Sequence, residues 1–174
     1  MFINLSDVLS EHHKPIDKVV PVEMTDIDTA LGLMPVIEKE DAHIVVKHVK
    51  QKELTIDGFC RLVLEIPCDR CLEPVATKFD LKFSKNVDLA ADDNQIDELD
   101  EKNYIDGYNL DVDKLLYNEI LIGWPMKILC SETCKGICNT CGQNLNKGTC
   151  NCEDTSLDPR MSVIRDVFKN FKEV

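Results

Sequence analysis

From residue 42 onward the chain alternates apolar and polar side chains with the two-residue period of a β-strand. Ile44, Val45, Val46 and Val49 make a β-branched run, and residues 51–53 supply a polar turn. Beyond the turn, Leu54, Ile56, Gly58, Cys60, Leu62, Leu64 and Ile66 share one face, while Thr55, Asp57, Arg61 and Glu65 fall mostly on the other. The pattern resumes after Pro74, with Val75, Phe79, Leu81, Phe83 and Val87 opposite Lys78, Asp80, Lys82 and Asn86. Such strands bury one face and wet the other, so these runs predict an antiparallel meander. Upstream, residues 2–5 read as a short strand and 6–13 as a weak helix or loop. Residues 16–22 read as an edge strand, because Pro21 has no N–H to give to a central ladder.

The period then changes. Val112, Leu115, Leu116, Ile120 and Trp124 recur at helical spacing behind Asp111, a good N-cap, and Pro125 ends the run. A last helix is predicted after Asp158-Pro159, with Met161, Ile164, Val167, Phe168 and Phe171 on its apolar face and Arg160, Arg165, Lys169 and Lys172 outside. Between strand and helix patterns lies an acidic tract holding Asp92, Asp93, Asp97, Glu98, Asp100 and Glu101, whose self-repulsion predicts a mobile loop near 88–109. The expected fold is α+β: an antiparallel β meander packed with one or two helices, plus a small C-terminal cysteine-rich zinc module. Residues 1–125 would form the body, and 126–174 the zinc-binding module and final helix.

Charge narrows the choice of partner. The formal net charge is -12, and nucleic-acid affinity depends on Lys and Arg neutralising phosphates. A basic protein is thus a better default partner than free RNA or DNA. The first 18 residues carry Asp7 and Glu11 and lack the apolar core of a secretory signal, and the longest apolar stretch, 120–126, is far short of the roughly 20 residues that span a bilayer. A cytoplasmic protein without a membrane segment is the expectation. In that reducing setting nine cysteines, eight of them in tight clusters, point to metal rather than disulfides.

The clusters have ligand spacing. In Cys138-Asn139-Thr140-Cys141-Gly142 two cysteines separated by two residues can face one ion from a tight turn, which the glycine relieves. Cys150 and Cys152, after a short polar return, can complete a four-thiolate site. A second knuckle, Cys68-Asp69-Arg70-Cys71, sits between Pro67 and Pro74 where the two alternating strands meet, and Cys130 and Cys134 remain to complete it. That assignment would staple the sheet to the helix end and the C-terminal module. A competing partition joins Cys68 and Cys71 to Cys138 and Cys141, leaving Cys130, Cys134, Cys150 and Cys152 together; loop-closure entropy favours the local set. Either way, two structural Zn2+ ions are expected. A redox pair would need a helix N-terminus to lower a thiol pKa, and Cys68 and Cys71 lie between strands and prolines. Cys60 sits on the apolar face of its strand and reads as a buried thiol.

No catalytic constellation accompanies the cysteines. His12, His13, His43 and His48 lie apart from them in sequence, and neither a phosphate-cradling glycine loop nor a nucleophile elbow is present. Two complete four-thiolate sites leave no open coordination position, so an enzyme is not expected.

Taken together, Cys68-Asp69-Arg70-Cys71-Leu72-Glu73-Pro74 after alternating strands, Trp124-Pro125-Met126 ending a helix, Lys135-Gly136-Ile137-Cys138, the run from Gly142 to Asn146, Cys150-Asn151-Cys152 and Asp158-Pro159-Arg160 resemble the YceD family of large ribosomal RNA subunit accumulation proteins. The likeness runs from about residue 42 to the end. It implies a cytoplasmic bacterial protein, or a relative of plastid ones, that supports large-subunit ribosomal RNA accumulation and ribosome assembly. A ribosomal protein or a large-subunit assembly intermediate is the implied partner. Arg70, Lys127, Lys135, Lys147 and Arg160 are candidates for a direct RNA contact, which the resemblance leaves open. Asn139 departs from relatives that often carry proline there. The alternatives are a zinc-dependent interaction module outside the ribosome and a thiol redox enzyme.

Overall fold

The computed structural model describes residues 1–10, 13–50, 53–88 and 103–152. Its elements in chain order are β1 (Phe2–Asn4), α1 (Ser6–Leu9), β2 (Ile16–Val20), β3 (Asp26–Thr29), β4 (Gly32–Lys39), β5 (Ala42–Lys50), β6 (Glu53–Pro67), β7 (Pro74–Asp88), β8 (Ile105–Asp106), β9 (Asn109–Asp111) and α2 (Val112–Ile122). Strand β6 is 15 residues long and organises the larger sheet. Leu54, Ile56, Cys60, Leu62, Leu64 and Ile66 are each at most 2% exposed, so the alternating face is the buried one. Each such Leu or Ile contributes about 1.5–3 kcal/mol of burial. Gly58 stands in that row without a side chain, and the Phe83 ring of β7 covers it.

One edge of β6 is paired by two strands laid end to end. Val36, Glu38 and Lys39 of β4 pair with Leu64, Val63 and Leu62, and β5 continues from His43↔Phe59 to Lys50↔Glu53. Glu40 and Asp41 fall between them. The next ribbon is broken in the same way, since β2 pairs antiparallel with β5 and β3 with β4. Its break begins at Pro21, directly after β2, and β2 lies at the end of the strand order as the proline predicts. With β7 paired to β6, the six strands form a meander of four ribbons, β2–β3, β4–β5, β6 and β7.

The β3–β4 hairpin has no counterpart in the sequence reading. Strand β3 has only four residues, and Pro35 interrupts the β pattern of β4; Pro35 pairs with Asp26 just before β4 begins to pair with β6 at Val36. The acidic tract also ends earlier than its charge suggests. Ile105–Asp106 and Asn109–Asp111 form a hairpin, with Gly107 at φ +57°, that joins β1 in a separate sheet of order β1-β9-β8. Residues 89–102, which carry most of the expected loop, and the final helix expected after Asp158 lie outside the described residues.

Helix α2 starts where Asp111 predicts. Its carboxylate accepts from the N–H groups of Asp113 and Lys114 at 3.2 and 3.4 Å. Val112, Leu115, Leu116 and Ile120 are fully buried. The helix stops at Ile122, so Trp124 lies beyond it and meets Phe79 with ring centroids 5.8 Å apart. Tyr117 donates its hydroxyl to the Asp28 carbonyl at 2.9 Å, and Glu119 pairs with Lys85 at 2.7 Å. Among the described residues the molecule is thus mostly antiparallel sheet with two short helices, a loose fit to the α+β expectation. No helix among the described residues is long and apolar enough to cross a membrane.

The chain divides into two compact units. The first comprises Met1–Ile66 with Ala76–Met126, and the second Pro67–Val75 with Lys127–Val174. All eight clustered cysteines belong to the second.

Candidate metal centre

The first knuckle is a tight turn closed by its own backbone. Cys68 N–H donates to the Glu73 carbonyl at 2.8 Å, and Leu72 N–H donates to the Cys68 carbonyl at 3.0 Å, with Leu72 in the left-handed region at φ +61°. Asp69 ties the turn to a segment 59 residues later: its N–H donates to the Ile128 carbonyl at 2.9 Å, and its carboxylate accepts from Ile128 N–H at 2.7 Å. Arg70 adds a second tie. Its guanidinium donates to the Cys134 carbonyl at 2.8 Å, and its own carbonyl accepts from Ile137 N–H at 3.1 Å. Together these bring Cys130 and Cys134 to Cys68 and Cys71.

The four sulfurs all lie within 4.8 Å of one another. Cys68 Sγ is 3.9 Å from Cys134 Sγ, and Cys71 Sγ is 3.5 Å from Cys130 Sγ. A tetrahedral ion with metal–sulfur bonds of about 2.3 Å needs sulfurs about 3.8 Å apart, whereas a disulfide needs about 2.05 Å. The spacing therefore fits a shared cation. Cys68, Cys71 and Cys134 are buried and Cys130 is exposed, with Val75, Leu129 and Ile137 packed against the buried three. Donors that point at sulfur include Cys130 N–H at Cys68 Sγ, 3.4 Å, and the Asn146 side-chain amide at Cys134 Sγ, 3.2 Å.

The second group repeats the turn. Cys138 N–H donates to the Gln143 carbonyl at 2.8 Å, Gly142 N–H donates to the Cys138 carbonyl at 2.9 Å, and Gly142 has φ +74°. Thr140 N–H points at Cys138 Sγ at 3.4 Å, and the Gln143 side chain donates to the Thr149 carbonyl at 3.2 Å, which draws the return loop toward the knuckle. Cys138, Cys141, Cys150 and Cys152 also lie within 4.8 Å of one another. Each group could hold a metal ion. The sulfurs are gathered as in the local partition, not as Cys68 and Cys71 with Cys138 and Cys141.

Ionisation is uneven within each group. Burial raises the Cys68 thiol, but the N–H groups of Arg70, Cys130 and Cys71 outweigh it and bring the thiol down to about 6. Cys130, facing the Cys71 and Cys134 sulfurs, is pushed up to about 12. In the second group the N–H groups of Cys141 and Thr140 lower Cys138 to about 6, and the neighbouring Cys141 sulfur pushes Cys152 up to about 12. One sulfur ionises readily and a later one resists, because negative charge accumulates in a small volume. A divalent cation removes that resistance and lets all four act as thiolates.

Neither knuckle stands at a helix N-terminus among the described residues; at Cys68 and Cys138 backbone N–H groups lower the thiol instead. Cys60 belongs to neither group; it is buried in the sheet, and burial, with Glu40 and Asp41 adding, pushes its thiol up to about 11. The described histidines also stand outside both groups. His13 stacks on His48 with centroids 3.7 Å apart, and His43 pairs with Asp17 at 2.6 Å; His12 lies outside the described residues. Two of the candidate RNA-contact cations have internal partners: Arg70 on the Cys134 carbonyl and Lys147 on the Glu73 carboxylate, 2.6 Å. Arg160 lies outside the described residues. The sequence reading quoted Asn146 within a motif without giving it a role; a polar side chain midway between ligand pairs was the available signal.

The family model described as "Large ribosomal RNA subunit accumulation protein YceD" matches residues 56–168, which covers all eight clustered cysteines. A protein from Zea mays named "Large ribosomal RNA subunit accumulation protein YCED homolog 1, chloroplastic" is 26% identical over 149 residues, covering 69% of this chain and 50% of that protein. Its namesake from Arabidopsis thaliana is 26% identical over 130 residues, 59% of this chain and 40% of that protein. The chain spans half or less of the length of these curated relatives. No solved structure matches it. With well over half of its length matched by the family model, the chain belongs to the YceD family of large ribosomal RNA subunit accumulation proteins.

Proposed function

We propose that this chain is a non-enzymatic zinc-binding factor that supports accumulation of large-subunit ribosomal RNA, acting in the cytoplasm on a ribosomal protein or a large-subunit assembly intermediate. The observation that carries the reading is the placement of two four-cysteine groups in one unit, inside the span matched by the family model. Four sulfurs at tetrahedral spacing fit zinc or iron, and a closed four-cysteine set is a common structural zinc site. Four protein ligands close each site to substrate, which supports a structural rather than catalytic ion. The net charge of -12 supports a basic protein as the surface first engaged, with any RNA contact made locally.

Affinity purification of the tagged full chain after mild crosslinking tests this. The expected result is recovery of large-subunit precursors or a large-subunit ribosomal protein, with a deficit of large subunits in gradient profiles after depletion. Unaltered profiles together with partners unrelated to the ribosome would favour a zinc-dependent interaction module acting elsewhere.

A further inference from the structure

The two cysteine groups are unequal in how they are held. The second is self-contained: its four ligands span 15 residues, 138–152, and its supporting bonds, Cys138 to Gln143, Gly142 to Cys138, Thr140 to Cys138 and Gln143 to Thr149, stay inside that span. The first depends on the second's return loop. Asn144 donates to the Glu73 carboxylate at 3.2 Å, and Lys147 pairs with the same oxygen at 2.6 Å. Leu145 N–H donates to the Gly136 carbonyl at 2.9 Å. Asn146 donates to Cys134 Sγ at 3.2 Å while its carbonyl oxygen accepts from Lys135 N–H at 2.7 Å. The Lys135 bond fixes which way the amide points, because a backbone N–H can meet only its oxygen, so the NH₂ faces the sulfur.

The loop carrying these groups begins after Cys141 and ends at Cys150, and both are ligands of the second group. Closing the second group around an ion therefore closes the loop and presents Asn146 to Cys134. Without it, ordering the loop costs conformational entropy that the first group must supply.

We propose that the two sites are coupled: metal at Cys138, Cys141, Cys150 and Cys152 raises the affinity of Cys68, Cys71, Cys130 and Cys134 for their ion, with Asn146 as the positioning residue that transmits the effect. The proposal rests on the zinc reading above. It makes the pair cooperative: the first loses grip when the second empties, and the second loses the same factor when the first empties. Loss of an outer-shell partner of a metal ligand lowers affinity by about 10–100-fold, which sets the expected size.

The test uses the full chain loaded with Zn2+, elemental analysis, competition against a chromogenic chelator, and Co2+ substitution read in the sulfur-to-cobalt charge-transfer band. Asn146→Ala keeps all eight sulfurs and is expected to retain two ions, with one released to the chelator at about tenfold lower competitor concentration and a shifted cobalt band. Cys150→Ser/Cys152→Ser should retain one ion, held about 10–100-fold more weakly than either wild-type ion. Cys68→Ser/Cys71→Ser should also retain one ion, at the second site, weakened by the same factor, because coupling between two sites is reciprocal. Wild-type affinity and an unshifted cobalt band in Asn146→Ala overturn the proposal, whether or not the serine variants fold. A wild-type chain that takes up no zinc overturns the zinc reading itself, and the coupling with it.

Discussion

Leu72 and Gly142 occupy the same position in two copies of one turn. Each follows the second cysteine of its knuckle, each donates its N–H to the carbonyl of the first, and their φ angles are +61° and +74°. A left-handed conformation costs a side chain with a Cβ about 1–2 kcal/mol and glycine almost nothing. The Leu72 side chain is 64% exposed, so little packing offsets that strain. Leu72→Gly should raise stability by about 0.5–1 kcal/mol, the strain relieved less the extra freedom of glycine in the unfolded chain. Gly142→Ala should lower it by about 1 kcal/mol. Urea midpoints of the metal-loaded variants check the opposite signs; equal shifts would show that the two turns are not equivalent.

The knuckles also mark the boundary of what the chain discloses locally. The cysteine spacing, the N-cap at Asp111 and the alternation of β6 and β7 are short-range patterns, and all were legible because one face of each element is buried. The sulfur partition rests on Asp69 meeting Ile128 and Arg70 meeting Cys134 and Ile137, contacts across 59 to 67 residues. Nothing in either segment's own composition encodes the other. The β8–β9 hairpin was hidden for a different reason: its two- and three-residue strands are too short for a period, and the charge of the preceding tract dominates the reading. Gly58 read simply as one more inward position, whereas its lack of a side chain is what admits Phe83.

That last relationship predicts an epistatic pair. A Cβ on Gly58 would overlap the Phe83 ring, and both residues sit in a paired region where the backbone has little room to move. Gly58→Ala should destabilise the first unit by about 1–3 kcal/mol, the usual cost of overpacking. Adding Phe83→Leu should recover part of that loss although Phe83→Leu alone is destabilising, giving a coupling of about 1 kcal/mol or more in a double-mutant cycle. Additive effects would place the ring elsewhere.

Cys60 predicts an alkaline loss of stability. Its native thiol titrates at about 11 because of burial, reinforced by Glu40 and Asp41, against 9.0 for an unperturbed thiol. Above pH 9 the unfolded chain releases a proton that the native chain keeps, so stability falls with rising pH until the native thiol itself ionises. The slope approaches about 1.4 kcal/mol per pH unit within that window and is absent below it. Chemical denaturation of the metal-loaded protein from pH 8 to 10.5 should show this component in the wild type and not in Cys60→Ala. Cys60→Ala should be less stable at pH 7 and close part of the gap as the pH rises.

Metal content offers the broadest check. Two groups of four sulfurs, with Cys60 apart from both, predict two zinc ions per chain in reduced wild-type protein and two in Cys60→Ala. They predict about one in Cys68→Ser/Cys71→Ser, because two remaining thiols cannot close a tetrahedral site. Structural zinc supplies about 10–16 kcal/mol of apparent binding free energy, comparable with the whole stability of a domain. The described part of the second unit holds few buried side chains beyond Cys68, Cys71, Ile128 and Cys134, so that energy has no apolar substitute there. The first unit has its own apolar core, with Leu54, Ile56, Leu62, Leu64, Leu115 and Leu116 fully buried. Chelation should accordingly open residues 127–152 to hydrogen exchange and proteolysis while amides of β5 and β6 stay protected. Uniform protection after complete metal removal would mean that the cysteine groups are held by packing and hydrogen bonds alone.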